Sequence, residues 1–412
     1  MSSSSQNREP ALRVVAIGGG TGLSSLLRGL KRYVAAPDAT RPAAEPRPTP
    51  TPNPQPALRP CLIRDLAAIV TVTDDGGSSG RLREELNMLP PGDVRNCMVA
   101  LSEDEHLLAN LFQYRFQHGD LDGHSFGNLF LAALSAITGD FAQAVQMSSH
   151  ILATRGRIYP ATNTDVTLSA RMDDGSLVHG ETSITASPHR ILELILEPAD
   201  AEPLPATLDA IANADLITLG PGSLYTSLIT NLLVRGIPQA IAASRATRVY
   251  IGNLMTQANE SIGLTAAQHI EKILDHCNGA TANCPSKRSR SQGCHPKRSE
   301  GSPHCAHGAH DSALRQGAPP PEAGKESRQS ISCPRIFDYA LVNTAPISPT
   351  LLEKYALGGQ APIEPDLDRI RALGIEPVPG DFAQQGSLLR HDPDRITHAL
   401  LNLTRNRPAR NN

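Results

Sequence analysis

Residues 67–81 read Ala67-Ala68-Ile69-Val70-Thr71-Val72-Thr73-Asp74-Asp75-Gly76-Gly77-Ser78-Ser79-Gly80-Arg81. An apolar run, Ala67 to Val72, passes straight into two carboxylates, a turn of Gly and Ser, and a cation. Side chains that small let a ligand approach the backbone amides, and the pattern from Arg81 to Leu86 predicts a helix whose N-terminus stands behind the turn. The stretch therefore reads as a polar binding loop at the end of a buried strand. Two similar loops occur: Gly18-Gly19-Gly20-Thr21-Gly22 after Leu12 to Ile17, and Gly220-Pro221-Gly222-Ser223 after Leu216 to Leu219.

Between these loops the periodicity predicts helices at 23–30, from Pro91-Gly92-Asp93 to Leu101, at 107–116 behind a Ser102/Glu105 capping box, from Phe126 to Ile137 behind Ser125, and from Phe141 to Leu152. Residues 166–184 alternate around Asp173-Asp174-Gly175, a hairpin signal that predicts antiparallel strands at one edge of the sheet. Later come helices at 204–212 and 224–234, then strands at 239–243, 248–251 and 339–342. Strands alternating with helices favour an α/β doubly wound, mostly parallel sheet whose ligands sit beyond the carboxyl ends of the strands. The three loops then gather on one edge.

Composition limits what folds. Residues 1–10 are a polar tail, 37–60 a Pro-rich run expected as a solvated, disordered loop, 279–333 a low-complexity insert expected to be disordered, and 404–412 a second tail. The remainder of 11–403 fits one large domain. The formal charge is −3, yet the insert alone carries eight Lys/Arg against four Asp/Glu, so the rest is more acidic and a broad nucleic-acid surface is not expected. There is no apolar leader and no apolar run long enough to span a membrane, so a cytoplasmic protein is expected. Of seven cysteines, only Cys61 and Cys97 fall in the expected core, which implies no disulfide framework. The Cys/His tract from Cys294 to His310 fits no standard zinc spacing.

The glycine turn is not a standard fingerprint: position 23 is Leu where G-x-G-x-x-G needs Gly, and no Gly-Lys-Ser/Thr follows. It reads as a phosphate held by Gly19, Gly20, Gly22 and the Thr21 hydroxyl at a helix start, or else as a merely tight βα turn. Asp74 and Asp75 suit ribose hydroxyls, Mg²⁺, general-base work or a helix cap. Gly76 and Ser78 complete that loop, and Arg81 is the arginine the loop aims; Arg95 is open between phosphate contact and a solvated face. Gly220, Gly222 and Ser223 form the third loop, where Tyr225 reads as core. Asn128 and Asn253 are either ligand contacts or partners of backbone groups. No catalytic nucleophile is identified.

In chain order, IGGGTG, VTVTDDGGSSGRLR, PGDVRN, GHSFGNL, GPGSLYTS, NLMTQ, DYALVN and RHDP resemble the YvcK-type gluconeogenesis factors, which share a superfamily with CofD, the 2-phospho-L-lactate transferase of deazaflavin coenzyme synthesis. The resemblance covers most of 12–275 and 334–403. It implies a Rossmann-like three-layer α/β/α fold and a site for a nucleotide diphosphate. In the YvcK branch it implies a UDP-sugar such as UDP-N-acetylglucosamine and a role in cell shape under gluconeogenic growth. It further implies that Thr21 and its glycines contact the diphosphate, Asp74 and Asp75 the sugar or a metal, Asn253 the uridine side, and that Arg390 of RHDP reaches in from the C-terminal segment. The alternative it leaves is a transferase of the CofD type acting on a deazaflavin acceptor with Mg²⁺, where Asp75 is the candidate metal ligand. Otherwise no metal or cofactor is expected. A homo-oligomer is the expected assembly. An NAD-dependent dehydrogenase is disfavoured because Asp74 lies further from the glycine turn than the roughly 20 residues of that motif. One departure stands out: residues 258–261 read Ala-Asn-Glu-Ser where the family pattern continues Pro-Gly-Glu-Thr.

Overall fold

The structure is a computed structural model that describes residues 11–34, 62–103, 105–282 and 335–405. The polar tail 1–10, the Pro-rich run 37–60, the Cys/His tract and nearly all of the 279–333 insert lie outside the described residues. The boundaries expected at 279 and 404 move outward, because helices 266–282 and 393–405 run past them.

Among the described residues twelve strands follow in chain order: β1 (Leu12–Gly18), β2 (Ile63–Val70), β3 (Arg157–Pro160), β4 (Thr167–Met172), β5 (Leu177–His179), β6 (Ile191–Glu197), β7 (Leu216–Leu219), β8 (Thr247–Ile251), β9 (Tyr339–Asn343), β10 (Glu376–Gly380), β11 (Ala383–Gln385) and β12 (Leu389–His391). Seven make one sheet in the order β3-β2-β1-β7-β8-β9-β10, and every pairing in it is parallel. Strand order therefore runs outward from β1 in one direction and, after a reversal, outward from β7 in the other. That reversal is a topological switch point, where the crossovers leave on opposite faces and open a crevice between them.

Parallel strands covered on both faces should be apolar throughout, and they are: the last five residues of β1 and β2 and all of β7 and β8 are buried. One continuous core joins these strands to the helices. Helix 20–31 packs on helices 92–101 and 393–405, helix 205–213 on 237–243, and helix 266–282 on 367–372. The register aligns Ile17 with Leu219 and Gly18 with Val70, so the three loops leave the sheet at one level.

Several expected elements differ. The hairpin around Asp173-Asp174-Gly175 is present, but it forms a separate antiparallel sheet, β5-β4-β6, instead of extending the main sheet. Residues 239–243, expected as a strand, lie in helix 237–243: Gly236 turns the chain at φ +88° and Pro238 presets the first helical turn. A five-residue apolar run carries no period to separate the two. The helix expected over 224–234 begins as a π-helical turn, with the Leu228 amide donating to the Ser223 carbonyl at 3.0 Å, before an α-helical turn at 230–233. The Ser102 hydroxyl donates to Val99 O at 2.9 Å at the end of helix 92–101. Among the described residues no single helix is long and apolar enough to cross a membrane.

Candidate functional site

At the switch point the β1 and β7 loops touch. A Cβ on Gly22 would lie 2.4 Å from Pro221 O, and one on Gly19 would lie 2.5 Å from Asp93 Oδ2 and 2.8 Å from Thr71 Cγ2. Glycine is therefore required for contact between loops. Gly20 adopts φ +63°, and helix 20–31 starts with no side-chain cap, leaving its first amides pointed outward. The Gly20 amide is engaged by the carboxyl of Asp93. Thr21 is exposed on the first turn.

The third loop is tied internally. Asn253 accepts from the Gly222 amide (3.3 Å) and donates to Gly222 O (2.8 Å), while Gln257 Nε2 donates to Ser223 Oγ (2.8 Å). Gly220 turns at φ +90°, where a Cβ would meet Ile251 O at 2.8 Å. Glu260 occupies the helix start behind it, accepting from the Tyr225 amide (3.3 Å) and the Thr226 hydroxyl (3.0 Å). Burial pushes its carboxyl above the ordinary value, against these bonds. Here an internal carboxylate fills the place a bound anion would take. Tyr225 is core, its hydroxyl donating to Ile191 O at 3.2 Å. The variant loop 258–261 is shaped by Asn259, which takes the left-handed turn at φ +63° and donates to Thr185 O.

The second loop divides its two carboxylates. Asp74 Oδ1 accepts the Gly76 amide at 3.0 Å and stays at the cavity wall. Asp75 turns away, accepting from the Thr182 amide (2.8 Å) and hydroxyl (2.6 Å); it caps helix 181–186, a remote helix and not the next one in the chain. Helix 77–86 itself starts without a side-chain cap at Gly77, φ +47°. Around it lies a cavity of about 340 Å³, with Gly76, Ser78, Asn128 and Arg95 in its wall. Ser78 Oγ meets His124 Nδ1 at 3.1 Å and accepts from Asn128 Nδ2 at 3.0 Å; Arg95 donates to Asn128 Oδ1, Ser125 Oγ and Asn96 Oδ1.

Arg81, read from the loop, and Arg390, implied by the resemblance, lie away from the cavity. Arg81, expected to be aimed by the loop, donates to Asp122 O; Arg390 is exposed on the β11/β12 hairpin, and its neighbour His391 is the one that points inward, to Gly252 O at 3.0 Å. Neither is in the cavity wall. Arg83 is also structural, donating to Val166 O and pairing with Asp165.

The sequence reading passed over Asp93, Glu181 and Arg115. Asp93 read only as a helix opener within PGDVRN. Burial, reinforced by the charge of Asp74, raises its carboxyl to about 6 despite the Gly20 amide and Arg95. Glu181 accepts from the Thr73 hydroxyl at 3.0 Å and is raised well above its ordinary value by burial first and then by Asp74 and Asp93. Three mutually repelling carboxyls beside a phosphate-type loop are a mark of a functional site, since a purely structural core would discard them. Among the described residues no three His, Cys, Asp or Glu side chains converge to cage a metal ion, and Asp75 is already committed to Thr182. The donor set does not fit a resident Mg²⁺ held by protein alone.

A doubly wound α/β sheet, with a glycine turn at its switch point and a polar cavity beside it, defines a protein of the open-sheet α/β class. The chain belongs to the family described as 2-phospho-L-lactate transferase CofD, which matches residues 14–383. It is 39% identical over 390 residues to the gluconeogenesis factor of Halalkalibacterium halodurans, covering 94% of this chain and 95% of that protein. It is 47% identical over 265 residues to the gluconeogenesis factor of Bacillus subtilis, covering 64% of this chain and 74% of that one. A Nostoc relative is 51% identical over 266 residues, and there the chain spans about half, 52%, of the relative's length. A crystal structure of a UPF0052-family protein from Bacillus halodurans superposes with TM-score 0.73 at 38% identity, over 95% of this chain and 99% of that one.

Proposed function

We propose that this homologue of the gluconeogenesis factors is a cytosolic ligand-binding regulator that takes a nucleotide diphosphate sugar, of which UDP-N-acetylglucosamine is the reference, and supports cell shape during gluconeogenic growth. The observation that carries the reading is the glycine turn after β1 at the switch point, where the N-cap residue Gly19 offers no side chain and the Asp93 carboxyl takes the Gly20 amide. Its amides and the exposed Thr21 hydroxyl suit a diphosphate, and Gly22 packs directly on the β7 loop, where Gly222 and Asn253 face the nucleoside side. The cavity bounded by Asp74 and Asn128 then receives the group beyond the diphosphate. Asp74 accepts sugar hydroxyls there, and Asp75 contributes only by holding the loop.

Calorimetric titration of the full chain with UDP-N-acetylglucosamine, GDP and NAD tests this. Saturable binding of the UDP-sugar, weakened several-fold or more by Thr21→Ala, is the expected result. Binding of GDP alone, together with deazaflavin-dependent product formation in the presence of Mg²⁺, would instead establish the transferase activity for which the family is described.

A further inference from the structure

Helix 77–86 opens into the cavity with the amides of its first turn uncapped, and at Gly77 a Cβ would meet no atom within 4 Å. Two guanidiniums stand at the same cavity. Arg95 is 8% exposed, and its Nε, buried, has no hydrogen-bond partner. Arg115 comes from the segment after helix 105–113, held by a bond to Gly123 O at 2.8 Å. Among the described residues neither is within ion-pair distance of a carboxylate. Burial and then the like charge of Arg115 hold Arg95 below its ordinary value, so the two cations are close enough to repel each other. A desolvated cation is costly unless an anion compensates it, and the carboxylates of Asp93 and Asp74 offset part of the Arg95 charge without restoring its ordinary value. Asp74 and Asp93 form the part of the wall that meets Gly92 and Gly19, and each already accepts a backbone amide.

We propose that this cavity is an oxyanion site, separate from the β1 turn, in which a phosphate or carboxylate group is held by the Gly77–Ser79 amides and by Arg95 and Arg115. The helix terminus supplies directed N–H groups and partial positive charge, the planar Arg115 guanidinium supplies donors, and Arg95, whose Nη atoms are held by Ser125, Asn128 and Asn96, supplies charge. The anion has two possible sources: a free phosphate-bearing effector, or an acidic group on the sugar of the bound nucleotide. The proposal extends the nucleotide-sugar reading, yet its phosphate arm stands without it.

The test uses the full chain and inorganic phosphate, followed by calorimetry or equilibrium dialysis. Saturable phosphate binding should weaken roughly tenfold or more in Arg115→Ala, the scale of one charge-assisted hydrogen bond. Arg95→Lys, which keeps the charge and loses the bonds that hold it to Ser125, Asn128 and Asn96, should weaken it as well, with folding checked by circular dichroism. Arg371→Ala, which removes a surface cation elsewhere, should not change it. UDP-N-acetylglucosamine and UDP-glucuronate then separate the sources. Phosphate binding that persists in protein saturated with the neutral UDP-sugar supports a separate effector that shares the cavity with the sugar. Tighter binding of UDP-glucuronate, with the gain lost in Arg115→Ala, supports an acidic sugar. Phosphate affinity that survives both arginine changes overturns the proposal, as does the absence of both phosphate binding and any preference for glucuronate. Failure of UDP-N-acetylglucosamine to bind at all would remove the nucleotide-sugar reading and leave the phosphate result standing.

Discussion

Asp93 concentrates the tension of the site in one carboxyl. It holds the Gly20 amide, sits against Gly19, and is crowded by Asp74 and Glu181. Its folded value of about 6 stands above the ordinary 3.8. Between those values the folded chain binds more protons than the unfolded one, so stability is greatest below the lower value and falls as pH rises through the upper. Asp93→Asn keeps an acceptor for Gly20 and removes the buried charge. It should raise stability near neutral pH by about 1–2 kcal/mol, and it should flatten the loss between pH ~4 and ~6. Urea denaturation across that range measures both effects; a variant less stable than the parent near neutrality would show that the charge itself is structurally needed. The sequence carried Asp93 in plain view, but a helix-opening Asp is so ordinary that only its contact with a loop far away in the chain distinguishes it.

Among the elements, the π-helical turn after β7 is the irregular one. Glu260 stabilises its start from a different loop, satisfying the Tyr225 amide and the Thr226 hydroxyl at once. Glu260→Ala leaves both donors buried and unpaired, and it should cost about 1–3 kcal/mol, whereas Glu260→Gln retains an acceptor and should cost under about 1 kcal/mol. Thermal unfolding of the two variants side by side checks this; equal losses would mean that packing, not capping, sets the cost. Asp75 does the corresponding work for helix 181–186, which is why its neighbour Asp74 alone remains at the cavity. Capping by a residue tens of positions away leaves no local sequence signal, unlike the Ser125 cap of helix 126–138, where the side chain and the Asn128 amide are three residues apart.

Across the molecule, the long insert raises the question of how the sheet resumes after it. Arg248 in β8 and Asp338 just before β9 supply the answer: Arg248 Nη2 lies 2.9 Å from Asp338 Oδ1, with side chains 3% and 9% exposed, and the Arg248 backbone amide donates to the same carboxylate. Asp338→Ala strands a buried guanidinium and should destabilise by about 3–5 kcal/mol, visible as a lowered denaturation midpoint. A loss within experimental error would mean that water reaches the pair. The glycine turns and the apolar parallel strands were legible in the sequence because period and φ requirements act locally. Those local rules determined the fold class, the three loops and their position at strand ends. The tertiary structure alone decided which of two adjacent aspartates faces the cavity, which arginines line it, and that Asp93 and Glu181 join Asp74. These outcomes depend on contacts between segments distant in sequence, and there burial and Coulomb repulsion, not propensity, set the state of each side chain.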